Sequence, residues 1–89
     1  MDQNGQLYSQ IGMIYAKTGR REEAFRALDR AEQLDPAFDQ TYVYKGNLYL
    51  LSQEYDRAAE QYRKSLAINP SNPDAIKGLN MAQRRQPVS

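Results

Sequence analysis

The sequence contains no cysteine, no histidine and no tryptophan, and only 5 glycines and 4 prolines among 89 residues. Without cysteine there is no disulfide framework and no thiol nucleophile, and nothing marks a redox compartment. Without histidine the commonest general base is missing, the usual serine triad cannot form and nearly all zinc chemistry is removed. No Gly-rich phosphate loop occurs. Neither sign of charge dominates: 12 basic and 11 acidic residues leave a net charge of +1, which supplies no field for gripping nucleic acid or anionic lipid. No apolar run approaches the roughly 18 to 20 residues of a membrane span, and the opening "MDQNGQLYSQ" lacks the basic and apolar blocks of a signal peptide. These absences point to a soluble chain, cytoplasmic by default, with no cofactor, no metal and no nucleic-acid or membrane partner. The carboxylates Glu22, Glu23, Asp29, Glu32 and Asp35 stand among Lys and Arg on predicted helices. Solvated helix faces explain them better than an acid and base pair, so no enzyme is expected.

What is present is ordinary in amount and regular in order. Apolar residues are 40 % and charged ones 26 % of the chain, enough for one small domain that buries about two thirds of its unfolded surface. Pro36 and Pro70 stand thirty-four residues apart in similar settings, "QLDPAF" and "AINPSN". At that period Gln6 falls on Gln40, Tyr8 on Tyr42, Gly12 on Gly46, Tyr15 on Tyr49 and Ala24 on Ala58. Within each unit the apolar residues recur at three- and four-residue spacing, break, and recur again, which predicts a helical hairpin. Gly19 suits a left-handed helix end in the first break, "KTGRRE". The second break, "LSQEYD", has no glycine and should make a costlier turn. Gly12 with Ala24, and Gly46 with Ala58, allow close approach within each hairpin while tyrosines fill the gaps between layers.

The helix ends are written in the same places. Pro36 and Pro70 stop the second helix of each unit, because proline donates no hydrogen bond and disfavours helical geometry in the residue before it. After Pro70 a fifth helix starts, with Asn72 as N-cap, Pro73 at the first helical position and Asp74 near the positive dipole end. Ala75, Ile76 and Leu79 are expected to cover the preceding hairpin. Asn80 and Gln83 leave the opposite face polar, and Pro87 ends any continuation, so this helix reads as a lid that finishes the array. Nothing precedes the first helix, so parts of Tyr8, Ile11 and Tyr15 are expected to be exposed at that end.

The motif of an aromatic residue, Gly, Tyr, Ala and Pro at fixed spacing, present twice over residues 5–72, resembles the tetratricopeptide repeat (TPR). The resemblance implies an all-α fold: a five-helix alpha-alpha superhelix of two TPR helical hairpins plus a C-terminal capping helix. The expected domain is 1–89, with repeats at 5–38 and 39–72, the capping helix at 73–85 and a flexible tail at 86–89. Tyr8 and Tyr42 replace the tryptophan the family favours, while Lys45 and Glu32 replace common leucines and should weaken core contacts locally.

For function the resemblance implies a non-catalytic scaffold that binds a peptide or helix of a partner protein on the concave wall made by the first helix of each repeat. Family groove positions fall on Gln6, Ser9, Gln10, Met13 and Lys17, then on Gln40, Val43, Tyr44, Asn47 and Leu51, and finally on Lys77, Met81 and Arg85. The selected peptide-binding set is Gln10, Met13, Lys17, Gln40, Val43, Tyr44, Asn47, Lys77 and Met81, with Tyr44 and Asn47 foremost. Met and Tyr at helical spacing equally suit a core. Some members clamp the C-terminal carboxylate of heat-shock chaperones with Lys, Asn and Arg. The matching positions here hold Ser9, Met13, Tyr44, Asp74 and Gly78, so that clamp is not expected. The alternative reading is structural: a homodimer formed through the uncapped N-terminal helix, or a fragment of a longer array.

Overall fold

A computed structural model describes residues 5–85. Five helices follow in order, α1 (Gly5–Lys17), α2 (Arg21–Leu34), α3 (Asp39–Leu51), α4 (Tyr55–Ile68) and α5 (Pro73–Gln83), with no strand among the described residues. The all-α fold of two hairpins and a closing helix is therefore the observed one. The last helix stops at Gln83, two residues before the expected bound at 85. Pro87 and the tail 86–89 lie outside the described residues.

Each helix end has a local cause. Asp35 (φ −147°, ψ 83°) and Asn69 (φ −136°, ψ 93°) leave the helical region, which a following proline disfavours. Inside each hairpin the chain turns through the same pair of bonds. Arg20 N–H donates to the Tyr15 carbonyl at 2.8 Å and Gly19 N–H to that of Ala16 at 3.2 Å; Glu54 N–H donates to Tyr49 at 2.9 Å and Gln53 N–H to Leu50 at 3.0 Å. This Schellman geometry needs a left-handed residue, Gly19 at φ 79° in the first turn and Gln53 at φ 61° in the second. Gln53→Gly is accordingly expected to stabilise the protein by about 0.5–1 kcal/mol, a few degrees in Tm, and Gly19→Gln to lose a similar amount. Thermal unfolding of the two variants checks this, and a lower Tm for Gln53→Gly would contradict it.

Within the molecule α1 packs on α2, α3 on α4, and α4 on α5; α3 also meets α1, α2 and α5, while the backbones of α2 and α4 do not approach closely. The first helices thus line up as one wall, and the second helices diverge behind it. The cores lie between wall and backing. One holds Ala24, Leu28 and Leu48, with Tyr15, Phe25 and Tyr44 packed against it. The other holds Val43, Leu50, Ala58, Ala59, Tyr62, Ala75 and Ala82. Tyr62 is the largest fully buried side chain. Gly46 and Gly78 flank its ring: a Cβ on Gly46 would stand 2.7 Å from Tyr62 Cε1, and one on Gly78 would fall inside the ring's van der Waals surface.

One expectation is corrected and two are made specific. Lys45 and Glu32, each a charged residue in a leucine position, pair with one another. Lys45 is buried, with Nζ 2.6 Å from both Glu32 Oε1 and Asp29 Oδ1. Burial alone pushes the ammonium pKa down, but hydrogen bonds to Asp29 and Glu32 outweigh it and leave the pKa raised above 10.5. Ile76 does not cover the hairpin and is 44 % exposed. The side of α5 that packs is Ala75, Gly78 and Ala82, because the bare Gly78 backbone can lie on the Tyr62 ring. On α1, Tyr8, Ile11 and Tyr15 are partly exposed, as expected, and Leu7 and Ile14 are exposed more fully.

Candidate functional site

Between α3 and α5 the wall opens into a cleft of about 310 Å³. Leu50, Leu51 and Met81 make its apolar sides, Lys77 and Asp74 stand at its rim, and the Tyr62 ring and Gly78 backbone form its floor. Asn72 sets the position of α5 against α3. Its Oδ1 accepts from the Asp74 and Ala75 N–H groups at 3.0 and 3.1 Å, while its Nδ2 donates to Asp39 Oδ2 at 2.8 Å and to Gln40 Oε1 at 3.0 Å. One buried asparagine therefore caps one helix and ties it to another.

Asn47 sits at the cleft with its amide orientation fixed. The Tyr62 hydroxyl donates to Asn47 Oδ1 at 2.6 Å, which leaves the Nδ2 hydrogens of this exposed amide available to an arriving group. Leu51 is 58 % exposed beside it. On its other side Leu51 also borders a smaller hollow of about 200 Å³, where α3 meets Ala16 at the end of α1, Gly19 in the turn and Arg21 at the start of α2. An apolar side chain, a fixed amide and a lysine in one concavity can hold a chain segment by burial and by hydrogen bonds to its carbonyls. Among the described residues no group of three or more metal-ligating side chains occurs. Among the described residues no helix is long and apolar enough to cross a membrane.

Models of the tetratricopeptide repeat match residues 5–38 and 40–72, which are the two hairpins. The chain belongs to the tetratricopeptide repeat family. It is 35 % identical over 81 residues to tetratricopeptide repeat protein 13 of Homo sapiens, a match covering 89 % of this chain and 9 % of that protein. It is 32 % identical over 72 residues to Hsp70-Hsp90 organizing protein 3 of Arabidopsis thaliana, covering 81 % and 13 %. To the Hsp70-Hsp90 organizing protein of Triticum aestivum it is 29 % identical over 76 residues, covering 85 % and 13 %. The chain thus spans about a tenth of the length of these relatives. Tetratricopeptide repeats form protein–protein interaction modules, and that is the class of this chain. The family's members are typically non-enzymatic.

The tetratricopeptide wall gathers some of the nine selected residues and withdraws others. Asn47, Lys77 and Met81 meet in the cleft. Gln10 and Lys17 are exposed and Met13 half-buried on α1, outside that cleft. Gln40 is engaged, accepting from Asn72 and donating from Nε2 to Asp74 Oδ2 at 3.3 Å. Tyr44 is half-buried and packs against both cores. Val43 is 1 % exposed and presents no surface to a ligand; it lies in the core shared with α4 and α5, which spacing on α3 alone does not reveal. Ser9, another family groove position, is likewise buried and hydrogen-bonded to Thr41. The cleft's floor, Tyr62 and Gly78, was missing from the selected set. A Gly one turn after the N-terminus of α5 was the available signal, since such a helix position favours other residues unless backbone must approach closely.

Proposed function

We propose that this tetratricopeptide chain is a non-enzymatic module that holds an extended peptide of a partner protein in the cleft between α3 and α5. The peptide's apolar side chain inserts between Leu51 and Met81, its backbone carbonyl accepts from Asn47, and an acidic neighbour meets Lys77. Gln10, Met13 and Lys17 extend the same wall toward α1. The observation that carries this reading is the Tyr62 hydroxyl donating to the exposed Asn47 amide at the mouth of an apolar cleft. The names of two relatives suggest Hsp70 and Hsp90 as partners. The positions for a carboxylate clamp hold Ser9, Met13, Tyr44, Asp74 and Gly78, so an apolar anchor rather than a terminal carboxylate is the recognised feature.

Titration of a fluorescent peptide library against the chain tests the reading. Asn47→Ala and Met81→Ala are each expected to weaken the selected peptides about tenfold, the loss of one good contact, while Lys64→Ala on exposed α4 surface leaves them unchanged. If no peptide binds in a way that depends on Asn47 or Met81, the cleft is not the site. A second reading is assembly through α1, which the exposure of Leu7 and Ile14 favours.

A further inference from the structure

Successive first helices bury the same three positions against the hairpin before them, whereas α1 leaves two of them, Leu7 and Ile14, bare and the third, Ile11, half-buried. On α3 they are Thr41, Lys45 and Leu48, all buried. On α5 they are Ala75, Leu79 and Ala82, of which the alanines are buried and Leu79 is half-buried. On α1 they are Leu7, Ile11 and Ile14, with Leu7 51 % and Ile14 57 % exposed. Lys17 is the only charged residue of α1, so this face is continuous with the stacking interfaces in kind, and among the described residues no helix stacks on it.

We propose that the face of α1 bearing Leu7, Ile11 and Ile14 receives a further helical hairpin, one that differs from both hairpins of this chain. The proposal deepens the assembly reading and is independent of the cleft. The two stacking interfaces already present show what each level accepts. At the first, Thr41 Oγ1 meets Ser9 Oγ at 2.5 Å, and Ala75 packs in one core with Val43. Leu7 is larger than Thr41 or Ala75, so it requires a residue of glycine or alanine size opposite. At the second level Lys45 pairs with Glu32, whereas Leu79 and Leu66 pack on one core. Ile11 carries no charge and matches the Leu66 solution, because it would desolvate Glu32 without compensation. At the third, Leu48 packs with Leu28, and the smaller Ala82 with Tyr62. Ile14 matches the Leu28 solution, since a tyrosine opposite it would overfill the space.

Neither resident hairpin meets all three demands. The first offers Ser9 and Leu28 but Glu32; the second offers Leu66 but Val43 and Tyr62, and α5 already covers it. Stacking of a second copy of this chain is thereby disfavoured. The partner has a small residue, a leucine and a leucine at the three levels.

The test joins an additional copy of residues 5–38 directly before Gly5, with Ser9→Ala and Glu32→Leu in the added copy only. Hydrogen exchange of the original α1 amides is expected to slow about tenfold or more relative to the unextended chain. An added copy with Ser9 and Glu32 retained is expected to slow them no more than about twofold. Ile14→Gln in the original α1 should leave the Tm of the unextended chain within about a degree, as a surface change does, and abolish the slowing. Equal slowing by both added copies, or none by the altered one, overturns the proposal. So does sedimentation of the unextended chain as a dimer that Leu7→Gln and Ile14→Gln dissolve, which would assign the face to a second copy and keep the assembly reading. With neither a dimer nor any slowing, the assembly reading itself falls.

Discussion

Tyr62→Ala is expected to lower stability by about 3–5 kcal/mol, the range for truncating a buried aromatic side chain. A small domain of this kind has a total stability of only about 5–15 kcal/mol, so the variant should be partly unfolded in mild urea. The size of the effect follows from what the ring touches. It is fully buried on α4, lies between the bare backbones of Gly46 on α3 and Gly78 on α5, and ends on Asn47. Removing it separates three helices at one point. The converse substitution, Gly78→Ala, places a methyl group against the ring and is expected to cost about 1–3 kcal/mol. In a Tyr62→Leu background, where the ring no longer fills that space, the cost of Gly78→Ala should fall. Urea denaturation of the two single variants and the double variant measures this coupling. Additive losses would mean that α5 does not rest on Tyr62.

The second large effect is alkaline. Burial pushes the Tyr62 hydroxyl pKa well above its ordinary value of 10.0. Burial also raises that of Tyr42, helped by Glu32 and opposed by Lys45. Lys45 itself is raised above 10.5 by its two carboxylate partners against the cost of burial. All three groups therefore keep a proton in the folded protein at a pH where the unfolded chain has lost it. Stability is fully present below pH about 10 and falls as pH rises toward the folded-state values, by about 1.4 kcal/mol per pH unit for each group that is still protonated only in the folded state. Tyr62→Phe removes one of the three contributions. Its stability should decline less steeply than that of the parent between pH 10 and 11, while at pH 7 the two differ only by the hydroxyl's bond to Asn47, up to about 1 kcal/mol. Urea midpoints at pH 8, 10 and 11 decide it; parallel slopes for parent and variant would sink the assignment.

Much of the fold was legible because its signals act on their own stretch of backbone. The thirty-four-residue period, the prolines that take Asp35 and Asn69 out of helical geometry, and the Asn72 cap with Pro73 behind it need no knowledge of a neighbour. The costlier second turn was visible too, as Gln53 standing where Gly19 stands one repeat earlier. The site was legible only in outline. Helical spacing put Val43, Asn47 and Met81 on first helices, yet Asn47 is exposed in the cleft while Val43, one turn earlier on α3, is sealed by the core that α5 completes.

Lys45 and Glu32 make the same point from the other side. Read singly, each is a charged residue in a leucine position, and each predicts a weakened core. Only stacking α3 on α2 shows that one defect is the other's partner, with Asp29 as a third member. The sequence by itself determined the helices, their ends, their order and their family, since periodicity, capping and proline geometry act over a turn or two of chain. The tertiary structure decided which face of each helix is core, cleft or bare. That depends on how closely Gly46 and Gly78 let α3 and α5 approach Tyr62, a packing relation among residues far apart in sequence.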